Sequence, residues 1–557
     1  MTAIDRRTAL KVAGVTGATA LLAGSAHEVQ AEQRGFSAKT PAPLQRRAIG
    51  KTPVPPLEVL THTRLAFGHR PGDLEAFKAL KGNSQEKLRA WLEAQLSPEK
   101  IDDADCDRRL KPFDSLAKPL ETAWREYWRD VPESNNKKYE IAATPTQQAR
   151  AATLTRMIWS KRQLYEVVVD FWHNHFNIHP DRDDNIRPIF AHWDAQVIRK
   201  HALGNFKTLL TATATHPAML YYLDNASSNR GGPNENYARE LFELHTLGAE
   251  NYLGVKRQRD VPGYSDGKPT GYVDDDVYEA TRCLTGWRVA DDNDTAGLGD
   301  TGRYAFYLPW HDRFQKTVLG RYFPPDQGIK DGRDLLETLA NHPGTAKYIS
   351  RKLCRRLVSD NPPESLVARV AAVFTAQRDA TDQIKHVIRA IALSPEFAST
   401  WAEKVKRPLE VYASQCRALE TEFTVDGDRV WHTNWMGQGI FNHRPPDGYP
   451  DRFEAWTSST TLLRAWQSGL GLAANWDEKL VSPILKVNGA RRKPSEIADF
   501  WVNRLLGRNP HPASLREDLV AYLGDGKDEP ITDDDTYKWR LSMAIGFIVN
   551  SPDFMYR

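Results

Sequence analysis

The chain has 557 residues, 40% of them hydrophobic, with 16 Trp and 20 Phe. That is ample material for a large core and exceeds the usual single-domain size. Its 75 basic and 72 acidic residues leave a net charge of only +3, interspersed without blocks, which argues against a basic platform for nucleic acid.

Asp5-Arg6-Arg7-Thr8-Ala9-Leu10-Lys11 precedes an apolar run from Val12 to Ala23, and Val29-Gln30-Ala31 supplies small residues for cleavage after Ala31. Residues 1–31 therefore have the layout of an export signal. The paired arginines followed by Leu10 and Lys11 match the twin-arginine type, which carries proteins that have already folded. The expected location is periplasmic or secreted, and the twin-arginine translocase is an expected partner. An uncut membrane anchor is the alternative, but the apolar run is well below the ~20 residues a span needs. No later stretch is apolar enough to cross a bilayer, so an integral membrane protein is not expected.

Residues 32–56 scatter Pro41, Pro43, Pro53, Pro55 and Pro56 among Lys, Arg and Thr, and read as an extended linker. From about Leu57 the pattern becomes helical. Asn83 to Glu86 has capping-box spacing ahead of Leu88, Trp91, Leu92 and Leu96, with Pro98 as a stop. Thr146 to Val169 predicts one long helix, fully apolar at its end. Helical periods recur over 193–201, 206–213, 274–284, 332–339, 344–357, 366–377 and 384–393. AIALSPEF (Ala390 to Phe397) and GFIVNSPDF (Gly546 to Phe554) each place Ser-Pro and an aromatic after an apolar helix, which reads as a stop signal, with His216-Pro217 a looser copy.

Two regions break the period. Asn251 to Val273 is rich in Gly, Tyr and Lys, and Gly286 to Gly320 alternates enough for a hairpin. The acidic turn Asp291 to Asp294 lacks the Glu a calcium loop needs and reads as a solvated turn. Val430 to Trp456 is an aromatic, proline-stiffened loop that either plugs the core or lines a pocket. The fold class is thus mainly α: a large helical domain over 57–557, or two intimate halves dividing near 400, with one or two small β-hairpin or irregular insertions. Export would place Cys106, Cys283, Cys354 and Cys416 in an oxidising compartment. Their long, irregular spacings favour buried thiols over a thiolate zinc site.

Arg64-Leu-Ala-Phe-Gly68, FWHNHF (Phe171 to Phe176), ENYARELFELHTLG (Glu235 to Gly248), Leu284-Thr-Gly-Trp287 and His311-Asp312 occur in this order, followed by Lys316, Leu319-Gly320, Lys352-Leu353, Arg444-Pro-Pro446 and the C-terminal SPDFMYR. In these motifs the chain resembles the bacterial family catalogued as domain of unknown function 1800, from about Leu57 to Arg557. The resemblance implies an exported, mainly helical protein and carries no settled activity. Gly448-Tyr449 stands where the family pattern has Gly-Trp.

Chemistry has to be argued from residue spacing. Asp170, His173, Asn174 and Asn177 share one face of a helix, while His175 joins His173 only if the helix unwinds after Trp172. Glu240 and Glu243 share a helical face, and His245 swings in only from a loosened last turn. Burying these groups among Phe171, Trp172, Phe176, Leu241 and Phe242 is costly unless a metal or a tight network compensates. His173, His175, Glu240, Glu243 and His245 are accordingly candidate ligands of a transition metal, with iron, manganese, zinc and copper all compatible. His311 is a candidate catalytic base with Asp312 accepting its ring proton. Arg239, Arg444 and Trp456 are candidate contacts to an envelope or extracellular substrate. Two functions follow as expectations: a metal-dependent oxidoreductase or hydrolase acting in the cell envelope, or a non-catalytic envelope protein binding a polysaccharide or partner protein.

Overall fold

A computed structural model describes residues 52–291, 297–476 and 479–557. The expected export signal, residues 32–51 of the linker and Asp292 to Asp294 of the acidic turn lie outside the described residues. The rest is mainly helical, with two small antiparallel hairpins.

Local chemistry sets the helix ends. Asn83 accepts from the backbone N–H groups of Gln85 and Glu86, and Glu86 accepts from Asn83 N–H at 2.7 Å, closing the capping box over Ser84–Gln95. The long helix expected over 146–169 is two, α1 (Lys138–Trp159) and α2 (Gln163–His175). Ser160 is extended between them, with ψ at 142°, because Asp103 draws both its hydroxyl (2.6 Å) and Lys161 N–H (2.7 Å) out of the helical ladder. The Ser-Pro signals are starts rather than stops: Pro395, Pro552 and Pro217 each open a following short helix, and Ser394 and His216 cap theirs. A proline has no N–H to lose at the first helical position, and its φ is already helical.

Two stretches near the centre are wound more widely than an α-helix. Trp193–Arg199 is a π-helix, and α3 (Asn236–Glu240) runs on as a π-turn over Leu241–His245. Then come α4 (Asp274–Leu284), β1 (Trp287–Asp291) and β2 (Asp300–Phe306), the last two pairing Trp287 with Phe306 and Val289 with Tyr304. A second hairpin, β3 (Lys316–Val318) with β4 (Arg321–Phe323), lies partly beyond the stretch from which one hairpin is expected. Helices α5 (Pro343–Leu357) and α6 (Pro408–Ala418) follow.

The buried faces meet in one apolar cluster that includes Trp172, Trp193, Trp287 and Trp501. Through it runs a buried ionic seam. Glu410, on the first turn of α6, accepts from Arg356 of α5 (2.6 Å), from Arg407 (3.1 Å) and from Arg557, while Asp170 of α2 takes the other arms of Arg356 (3.1 Å) and Arg407. Each guanidinium is met by a carboxylate, the condition under which buried charge is tolerable. The seam fixes α2, α5 and α6 relative to one another. All four cysteines are buried free thiols.

Candidate functional site

Helix α2 presents two polar faces. On one, Asp170 enters the ionic seam while Asn174, together with Asn177 just past the helix end, holds the loop that follows Phe441. Asn174 donates to Tyr449 O (2.8 Å) and accepts from Tyr449 N–H (2.7 Å), and Asn177 donates to the carbonyls of His443 (2.9 Å) and Pro445 (2.7 Å). Gly448 makes this close approach feasible: its φ is +76°, and a Cβ there would lie 2.1 Å from Asn174 O. His173, on the same side, donates from Nε2 to Asp194 at 2.8 Å. Asp194 is fully buried, and burial alone would push its carboxyl up; the neighbouring Arg199 and His173 hold it below the usual range instead. Arg199 also binds Glu166 with two 3.0 Å contacts. His173 is thus a member of a closed ionic network, beside a cavity of about 40 Å³ under Phe441.

His175 faces the other way. Its ring is 1% exposed and lies between the His245 backbone and Lys352. Nε2 stands 3.2 Å from His245 O, and Nδ1 stands 2.9 Å from Lys352 Nζ. A carbonyl only accepts and an ammonium only donates, so His175 is the neutral tautomer with its proton on Nε2 and its Nδ1 lone pair on the lysine. Burial and then Lys352 hold its pKa well below the ordinary histidine value. The nitrogen that a metal would occupy is filled by an ammonium group.

His245 comes in on the π-turn, which supplies the loosened last turn that its spacing requires. Its ring is fully buried, 6.2 Å from the His175 ring and 5.0 Å from the Phe176 ring. Neither ring nitrogen has a hydrogen-bond partner among the described residues. Burial, reinforced by Lys352, lowers its pKa to about 3, so the ring is neutral. Glu240 makes no hydrogen bond among the described residues. Burial first, then the negative charges of Glu243 and Asp447, raise its pKa to about 7.

The remaining candidates are spoken for. Glu243 lies 3.6 Å from Arg239, and Arg239 also meets Glu235 (3.2 Å) and Asp274 (3.6 Å), so that arginine is surrounded by its own carboxylates. Trp456 is buried and donates its indole N–H to Pro450 O at 2.7 Å, stapling its loop rather than offering an open ring. Arg444 is exposed on that loop, and its carbonyl accepts from Tyr222 OH at 2.6 Å. His311 is fully buried and oriented by Asp331 (3.1 Å) and Thr285 O (2.9 Å), with Lys316 also on Asp331 at 2.7 Å. Asp312, expected to orient His311, instead accepts from Arg282 at 2.9 and 3.0 Å. The HD pair is adjacent in sequence, but the backbone turns their side chains to different partners. Both His311 nitrogens are taken up by partners inside the fold, Asp331 on Nε2 and Thr285 on Nδ1, so the ring is not presented to a substrate. Among the described residues no group of three or more His, Cys, Asp or Glu side chains is arranged to hold a metal ion.

What the structure does assemble is a cleft of about 430 Å³ between α2, α5 and the 443–452 loop, with His175, Tyr348, Lys352, Arg355, Asp447 and Arg452 among its lining. Lys352 is the feature that sequence reasoning passed over. It projects from α5 over the Tyr348 ring (5.4 Å) and has no carboxylate partner among the described residues. Burial, then Arg355, lowers its pKa to about 8, against the opposing pull of Asp451, Glu250 and Asp447. The charge of Asp447 raises the pKa of both Lys352 and Glu240, although Glu240 is not itself among the residues that line the cleft. Its only sign in the sequence is the Lys352-Leu353 motif.

The profile of a family described as protein of unknown function (DUF1800) matches residues 61–556, and the chain belongs to that family. No curated protein and no solved structure matches it.

Proposed function

Starting from a family whose description assigns no activity, we propose that the chain is a hydrolase of the cell envelope working by general acid–base catalysis in the Lys352 cleft. The observation that carries this reading is Lys352 Nζ, set 2.9 Å from the buried Nδ1 of His175 in a 430 Å³ cleft and in no ion pair among the described residues. An ammonium group so placed is a poised proton donor.

Glu240, on α3 behind the cleft lining and within the field of Asp447, is ionised above about 7 and in this proposal takes a proton from water as the water attacks the substrate. Lys352, protonated below about 8, delivers a proton to the leaving group. The base has the lower pKa and the acid the higher, so both stand in their working forms between about pH 7 and 8. His175 is a positioning residue: its Nε2 proton, anchored on His245 O, fixes the ring so that Nδ1 aims the ammonium. Of the two enzyme classes that the sequence suggests, hydrolysis is the one an acid–base pair serves. An envelope location is supported by the twin-arginine layout of residues 1–31.

The test is turnover by the mature protein on a panel of nitrophenyl phosphates, sulfates, acetates and glycosides, with Lys352→Met and Glu240→Gln alongside and metal content measured on the same samples. Each variant should lose roughly a hundredfold or more in kcat, with a bell-shaped pH profile in the wild type. Turnover that survives both substitutions, or that tracks a stoichiometric metal instead, would remove this reading.

A further inference from the structure

The charges around the cleft do not cancel. Two of its carboxylates are held by cations, Glu250 by Arg351 (3.2 Å) and Asp451 by Lys404 (2.7 Å), while Asp447, hydrogen-bonded to His443 (2.9 Å), keeps its charge and is outnumbered. Two of the arginines of α5 are likewise consumed, Arg351 by Glu250 and Glu364, and Arg356 by Glu410 and Asp170. Three cations remain. Lys352 makes no ion pair among the described residues, Arg355 donates only its Nε to a backbone carbonyl (Asp360 O, 3.2 Å), and Arg452 has no ion-pair partner among the described residues. All three line the same cleft. Burial and then Arg452 lower the pKa of Arg355, outweighing the opposing pull of Asp451 and Asp360, and Arg355 in turn lowers that of Lys352.

Like charges crowded together without counterions cost free energy unless a ligand supplies the missing charge. The terminal nitrogens of Arg355 and Arg452 form two planar forks beside a point ammonium. A single carboxylate is satisfied by one such fork, whereas a tetrahedral oxyanion has enough oxygens for two forks and an ammonium together. The cleft volume exceeds that of an isolated anion and leaves room for an attached organic group.

We propose that the cleft is an oxyanion site, in which Arg355, Arg452 and Lys352 receive the phosphate or sulfate group of an ester ligand. This rests on the cleft being the working site but not on how Lys352 and Glu240 act there, so binding and turnover are separable.

The experiment is isothermal titration of the mature protein at pH 7 and low salt with inorganic phosphate, sulfate and acetate. The wild type should bind phosphate or sulfate saturably, at least tenfold more tightly than acetate, and whichever of the two binds more tightly identifies the ester class. Arg355→Gln/Arg452→Gln should weaken that binding by roughly tenfold or more, the loss of one or two charge-assisted hydrogen bonds. Arg355→Lys/Arg452→Lys, which keeps the charge and packing, should recover part of it. Arg257→Gln, at an exposed arginine outside the cleft lining, should leave it unchanged. Circular dichroism and thermal midpoints establish that each variant is folded. Absence of saturable binding in the wild type, equal affinity for acetate, or binding indifferent to Arg355 and Arg452 would each overturn the proposal. Arg-dependent binding together with turnover that ignores Lys352 would uphold the oxyanion site and remove only the acid–base assignment.

Discussion

Replacing Lys352 by Met should stabilise the protein at neutral pH relative to alkaline pH while removing the proposed turnover. The half-buried ammonium titrates near 8 in the folded chain against an ordinary 10.5. That gap corresponds to about 3 kcal/mol of unfavourable free energy carried by the folded state at pH 7. The sign follows from proton counting: between about pH 8 and 10.5 the unfolded chain binds more protons at this residue, so wild-type stability gains with rising pH there and is lowest below pH 8. Methionine keeps the apolar stem and cannot charge. The costs of the substitution, chiefly an orphaned His175 Nδ1 worth roughly 1–3 kcal/mol, do not depend on pH in this range and cancel when one pH is compared with another. The stability of Lys352→Met relative to wild type should therefore fall by about 2 kcal/mol between pH 7 and pH 10. Urea unfolding followed by tryptophan fluorescence at pH 7, 8, 9 and 10 measures it. A difference between the two proteins that stays flat across this range would refute the assignment of Lys352 as a strained cation.

Asp331→Asn should cost about 3–5 kcal/mol by calorimetry, because it strips the carboxylate from buried Lys316 and His311, whereas Asp312→Asn at its partly buried pair with Arg282 should cost clearly less. His245→Phe should flatten the acid limb of the stability curve. The wild-type ring stays neutral down to about 3 while an unfolded histidine protonates near 6.5, so wild-type stability is lost as pH falls through this window and the variant escapes that loss. Gly448→Ala should loosen the 441–456 loop, since a Cβ at φ +76° strikes Asn174 O; faster proteolysis of that loop and weaker anion binding, with α2 intact by hydrogen exchange, are the readouts.

Local features were legible in the sequence wherever local chemistry decides. The Asn83 capping box, the apolar Val167 to Val169 stretch and the polar face of Asp170, His173 and Asn174 follow from spacing alone, whereas Asn177 lies past the end of α2. The break at Ser160 did not, because its cause, Asp103, lies 57 residues away. Partnerships across the chain were equally hidden: Lys352 meets His175 over 177 residues, and Asp331 displaces the adjacent Asp312 as the partner of His311. The rule that buried ionisable groups require compensation called for a metal or a tight network around His173 and His175. It could not say that the compensating cation would be a lysine from α5.

The π-turn over Leu241–His245 gives the cleft an unusual dependence on chain length. A π-turn is in effect an α-helix holding one residue more than its hydrogen-bond ladder needs. Deleting a single residue such as Leu244 would let the ladder close in α register without removing any polar group, and would swing His245 and its carbonyl away from His175. The lysine would then face a histidine free to rotate. Here the working geometry is encoded by a count of residues as much as by their identities.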